Sequence, residues 1–107
     1  MNTRRVAITG IGALTPIGST GPDFWNGLIS GKSGTQLIEH FDTTDFPTKF
    51  AAMLEDYEAE NYFDRKEARK MDHVCQYAMI AADEAINDSK VDLESIDRDT
   101  VAVIVGT

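Results

Sequence analysis

Cys75, His40 and His73 are the side chains of this sequence best suited to nucleophilic or general-base chemistry. A thiol becomes a strong nucleophile when a base or cation beside it favours the thiolate. His73 stands two positions from Cys75, and on a helix that spacing turns the side chains about 160° apart. His73 therefore cannot serve as the local base, and Cys75 reads as a buried structural thiol. His40 is alone in a loop rich in Gly, Ser and Thr, and reads as a hydrogen-bonded structural residue. No spacing of His, Cys, Asp and Glu suggests a metal centre, and no metal or cofactor is expected.

A second possibility is phosphate binding. Gly10-Ile11-Gly12 supplies the first two glycines of a dinucleotide fingerprint, but Thr15 occupies the third position. Pro16 follows where a phosphate-binding helix would already be under way, and a proline inside a helix is costly. A small nucleotide-binding module would need a helix starting at these glycines.

Residues 64–71 offer a third feature. On a helix, Arg65, Lys66, Arg69 and Lys70 fall within an arc of about 140°, with Asp64, Ala68 and Met71 opposite. This basic stripe lies on a chain with 18 acidic and 10 basic residues and a net charge of −8. Two readings are open: a solvated helix with internal ion pairs such as Glu67 to Lys70, and a surface for an acidic partner.

The elements that must position these residues can be read from local signals. Residues 6–13 form an apolar run closed by Gly and Pro, as expected of a strand buried on both faces. Thr20 and Asp23 have capping-box spacing, Pro22 suits a first helical turn, and Gly31 is placed to end that helix. Phe24, Trp25, Leu28 and Ile29 share its apolar face, so Trp25 is expected to anchor a core. Residues 31–49 read as an irregular connection and residues 49–54 as a short strand. Glu55, Asp56, Glu58 and Glu60 read as a solvated acidic surface.

Asp72 can cap a helix running to about Ser89. Four alanines on it, at 78, 81, 82 and 85, imply close approach of another element and a largely buried helix. A charged loop over residues 92–100 leads to a second apolar run, residues 101–105. Two doubly buried strands joined by a helical crossover predict neighbouring parallel strands over residues 6–13 and 101–106, with residues 72–89 packed on one face.

At 107 residues the chain amounts to one domain or a piece of one. Its acidity argues against nucleic acid as the main partner, and its single cysteine excludes an internal disulfide framework. The basic start of the sequence is followed by an apolar run too short and too interrupted for a signal peptide. No stretch approaches the roughly 20 apolar residues of a membrane span. These features suit a soluble, cytoplasmic protein.

Several motifs occur in order along the chain: Arg4-Arg5-Val6-Ala7-Ile8-Thr9-Gly10-Ile11-Gly12-Ala13-Leu14-Thr15-Pro16-Ile17-Gly18, then Trp25, Gly31-Lys32-Ser33-Gly34, His40-Phe41-Asp42 and Lys49-Phe50-Ala51. Arg65-Lys66-Glu67-Ala68-Arg69-Lys70-Met71-Asp72 and Val101-Ala102-Val103-Ile104-Val105-Gly106-Thr107 complete the series. Together they resemble the amino-terminal quarter of the β-ketoacyl-[acyl carrier protein] synthases of the type II condensing-enzyme class. The resemblance implies a thiolase-like layered αβαβα fold of the α/β class. Residues 1–107 would be the amino-terminal portion of its N-terminal domain, an incomplete domain.

The activity implied by the resemblance is that of an acyltransferase of fatty-acid elongation, which condenses an acyl thioester with malonyl-[acyl carrier protein]. In that family the active site is one Cys and two His, all in motifs that these 107 residues lack. Cys75, His40 and His73 therefore receive no catalytic role, and the segment alone is expected to be inactive and to fold poorly. The resemblance also implies a homodimer, and it places Lys66, Arg69 and Lys70 at the docking surface for acyl carrier protein. An alternative within the family is a non-catalytic relative that acts as an interaction or chain-length subunit.

Overall fold

The computed structural model describes residues 3–106. Met1, Asn2 and Thr107, the last of which closes the final motif above, lie outside the described residues.

The first helix forms where the capping signals predict it. Helix α1 spans Gly21–Ile29, with Thr20 at its N-cap in an extended conformation and Pro22 in its first turn. The Asp23 amide donates to Thr20 Oγ1 at 3.2 Å, which satisfies one of the unpaired amides of the first turn. At the other end Gly31 adopts φ +69°. The Gly31 amide donates to the Leu28 carbonyl at 3.1 Å and the Lys32 amide to the Gly27 carbonyl at 2.9 Å. Both bonds define a Schellman motif, and glycine takes its left-handed position without a Cβ clash.

Strands β1 (Thr35–Leu37) and β2 (Phe50–Ala52) pair antiparallel, with Gln36 opposite Ala51. Strand β2 lies within the predicted residues 49–54. Strand β1 falls inside the stretch expected to be irregular, because its pairing depends on a partner thirteen or more residues away. Helix α2 is a single turn, Arg65–Ala68, and helix α3 runs His73–Ser89. Asp72 occupies the N-cap of α3, but its side chain makes no capping hydrogen bond. Lys90 closes α3 in the left-handed region at φ 54°.

The expected pair of parallel strands is absent. Among the described residues the single sheet is β1–β2, and residues 6–13 and 101–106 belong to no strand. Val6 is 92 % exposed and Ile104 is 94 % exposed. A strand exists only where another segment completes its ladder. Composition expresses a preference for burial but cannot supply that neighbour.

Residues 10–13 do pack on α3. A Cβ added at Gly10 would fall on the Ala85 carbonyl, and one at Gly12 on the Ala81 carbonyl. The alanine stripe and the two glycines thus account for each other, because only small residues permit this approach. Yet α3 is not largely buried. Val74, Met79, Ala82 and Ile86 are exposed, and Gln76 is its one buried residue. The burial expected of Trp25 and Cys75 is likewise not found. Trp25 is 62 % exposed and Cys75 is exposed, since no described element covers those faces.

Candidate functional site

The basic segment is placed by a turn and a half of chain. The Glu67 and Ala68 amides both donate to the Asp64 carbonyl at 2.9 Å, which starts α2. The Lys70 amide donates to Glu67 and the Met71 amide to Ala68, so the segment bends at once toward α3. Ala68 is buried, Met71 is half-buried, and Arg65, Lys66, Arg69 and Lys70 are exposed. The predicted division into an apolar back and a basic front therefore holds. The Glu67–Lys70 ion pair that the solvated-helix reading offered does not form. Arg65 instead lies 3.5 Å from Glu60 in the acidic run. Among the described residues, Lys66, Arg69 and Lys70 have no carboxylate within ion-pair distance.

Beneath this segment sits Gln76, which is 3 % exposed. Its side-chain amide donates to the Ala68 carbonyl at 2.8 Å and to the Met71 carbonyl at 3.1 Å. Its oxygen accepts a hydrogen bond from the Tyr57 hydroxyl at 2.6 Å. Tyr57 is stacked on Tyr62 at 6.0 Å and meets Tyr77 edge-on at 4.8 Å. Burial, followed by the neighbouring Tyr77 and Tyr62 phenols, pushes the Tyr57 hydroxyl above the usual tyrosine value. It thus stays protonated near neutrality and remains a donor to Gln76. Sequence reasoning missed Gln76 because a glutamine within a helix carries no local sign of burial.

The potential nucleophile and bases do not form a catalytic unit. His40 and His73 both border an open cleft between β1–β2 and the start of α3, while Cys75 is not among the residues lining it. His40 meets Phe41 edge-on at 4.9 Å, and His73 stacks on Tyr77 at 5.7 Å. Among the described residues no group of three or more His, Cys, Asp and Glu could hold a metal ion. No helix among them is long and apolar enough to cross a membrane.

The glycine turn also departs from a phosphate-binding geometry. After Gly12 the chain makes a tight turn, in which Thr15 and Gly18 exchange backbone hydrogen bonds of 2.9 and 3.2 Å. The following helix begins at Gly21, not at Gly10 or Gly12. The amides of Ile11 and Ala13 are taken up by the Asp88 and Glu84 carboxylates, at 3.0 and 2.7 Å. Acidic side chains over these amides leave no anion site there.

The basic, exposed front on an acidic chain, unpaired at Lys66, Arg69 and Lys70, acquires a context from known proteins. Residues 3–107 match the family described as the β-ketoacyl synthase N-terminal domain. The chain belongs to the β-ketoacyl synthase family. A 3-oxoacyl-[acyl-carrier-protein] synthase 2 from Synechocystis is 40 % identical over 107 residues, covering 100 % of this chain and 26 % of the relative. The synthase 2 of Vibrio cholerae shows the same identity and coverage. That of Staphylococcus aureus is 38 % identical over 104 residues, 97 % of this chain and 25 % of the relative.

Among solved structures, the ishigamide ketosynthase/chain length factor aligns with a TM-score of 0.74 and 31 % identity, over 87 % of this chain and 23 % of that one. The fold is therefore that of the thiolase-like, layered α/β ketosynthases, of which this chain represents the N-terminal part. The chain spans about a quarter of the length of the relatives it matches.

Proposed function

We propose that the protein carrying this chain is a 3-oxoacyl-[acyl carrier protein] synthase of fatty-acid elongation. The reading is supported by the match to synthase 2 relatives along the whole chain. In the proposed reaction an acyl group passes from its carrier thioester to an enzyme cysteine, releasing the carrier thiol. Malonyl-carrier protein loses carbon dioxide, and the carbanion attacks the acyl-enzyme thioester. The enzyme thiol is released and a 3-oxoacyl-carrier, two carbons longer, is formed. Cys75, exposed on α3 and away from the cleft of the two histidines, is not the cysteine proposed for this step. Residues 1–107 alone are accordingly expected to form no 3-oxoacyl product. The proposed enzyme is a cytoplasmic homodimer.

Within this reading, Lys66, Arg69 and Lys70 form the docking surface for acyl carrier protein. The observation that carries it is their joint exposure without carboxylate partners, on a chain of net charge −8. Exposed charges of this kind act mainly on encounter and affinity, and salt screens them. Reversing Arg69 and Lys70 to Glu in the full-length enzyme should raise KM for carrier-bound substrates roughly five- to tenfold at low salt. The difference should shrink as ionic strength rises. Turnover of a small acyl thioester that lacks the carrier should be little affected. Equal slowing of both substrates would assign the stripe to folding or catalysis, and no change in either would make it an ordinary solvated face.

A second reading is favoured by the structural neighbour, whose name joins a ketosynthase with a chain length factor. The protein would then be a non-catalytic, chain-length-setting subunit. Formation of 3-oxoacyl product by the purified full-length protein alone decides against it.

A further inference from the structure

We infer that Gln76 is the positioning residue of the docking segment, which it holds against α3 in the orientation that a carrier protein meets. This rests on the proposed docking role of Lys66, Arg69 and Lys70 and adds the device that fixes their geometry.

Helix α2 is a single turn, and a helix so short does not hold itself together. The backbone bond that closes it, from the Met71 amide to the Ala68 carbonyl, is long at 3.4 Å. Gln76 adds a second donor to that carbonyl, seated beneath the segment on the seventeen-residue α3. One side-chain NH2 group spans the Ala68 and Met71 carbonyls at 2.8 and 3.1 Å. Arg69 and Lys70 are the two residues between those carbonyls, so the bonds fix the backbone on either side of both. The Tyr57 hydroxyl at 2.6 Å occupies the remaining oxygen and sets which way round the amide lies. Both ends of the side chain are thus used, and both donors point into the segment.

Gln76 is also the one buried polar side chain among the described residues. Burying an amide is unfavourable unless its hydrogen bonds are made, and here both donor bonds go to the basic segment while Tyr57 satisfies the oxygen. A docking surface held in place before encounter loses less conformational freedom on binding.

The test uses the full-length enzyme with Gln76→Leu, which preserves bulk and removes both donors. KM for carrier-bound substrate should rise about three- to tenfold, with kcat on a small acyl thioester changed less than about twofold. Because the charges remain, the salt dependence of KM should persist, whereas it should weaken in the Arg69→Glu, Lys70→Glu enzyme. Amide exchange of Lys70 and Met71 should accelerate ahead of that along α3.

If the charge reversal raises KM and Gln76→Leu does not, the positioning role is overturned and the docking reading stands. If neither raises KM, both fall. Equal losses with the two substrates would show a general folding role and overturn the inference. Should Gln76→Leu fail to fold, Tyr57→Phe decides by the same measurement: a KM rise of about twofold or more supports the role, and an unchanged KM overturns it.

Discussion

Glu84 on α3 and Gly21 at the start of α1 are joined by a 2.8 Å hydrogen bond from the Gly21 amide to Glu84 Oε1. The other carboxylate oxygen accepts from the Ala13 amide at 2.7 Å. One side chain, 63 residues further along the chain, thus ties both the first turn of α1 and the glycine-rich segment to α3. The negative charge also faces the positive end of the α1 dipole.

Removing that carboxylate should be felt at both amides. Glu84→Ala is expected to destabilise the folded protein by about 1–3 kcal/mol, since two half-buried donors lose their acceptors. Glu84→Gln retains one acceptor oxygen and should cost less. Urea midpoints together with exchange of the Ala13 and Gly21 amides test this. Unchanged exchange at both would mean that water replaces the carboxylate without loss.

The left-handed Lys90 gives a stabilising substitution. A side chain at φ 54° is disfavoured by roughly 1–2 kcal/mol, and glycine is not. Part of the gain is offset by the greater freedom of glycine in the unfolded chain. Lys90→Gly should therefore raise stability by about 0.5–1 kcal/mol without altering α3, as read from thermal unfolding. A lower Tm would show that the lysine side chain contributes a contact outweighing the strain.

Tyr57 predicts an alkaline limit. Its folded-state pKa is raised, chiefly by burial, so the neutral phenol is the form the fold favours. The associated stability is complete below the unfolded value of about 10 and is lost as pH rises through the raised folded value. Urea midpoints should fall above about pH 10, and less steeply in Tyr57→Phe. Identical slopes for the two proteins would exclude Tyr57 as the titrating group.

Much of the helical structure was legible because its causes are local. Thr20, Pro22 and Gly31 set the ends of α1 through bonds spanning five residues or fewer, and α3 ends at Ser89 as its pattern implies. The alanines of α3 announced a close neighbour, and Gly10 and Gly12 are that neighbour. The basic front of residues 65–70 was readable from helical spacing, and the buried Ala68 confirms the face opposite it.

Tertiary structure alone decided what depends on distant partners. Residue type states that Val6, Trp25, Cys75 and Ile104 tend toward burial, but burial requires a covering surface, and none among the described residues covers these positions. The acidic pattern could not reveal that Glu84 and Asp88 would be spent on the amides of Ala13, Gly21 and Ile11. Nor could it reveal that Glu60, rather than Glu67, would pair with the basic segment. Gln76 is the clearest case. Nothing in its sequence neighbourhood distinguishes it from a surface glutamine, and its role arises only when α3 brings it under the carbonyls of Ala68 and Met71 and against the hydroxyl of Tyr57. Hydrogen bonds within a turn are written into adjacent residues, whereas those that join separate segments exist only once the chain has folded.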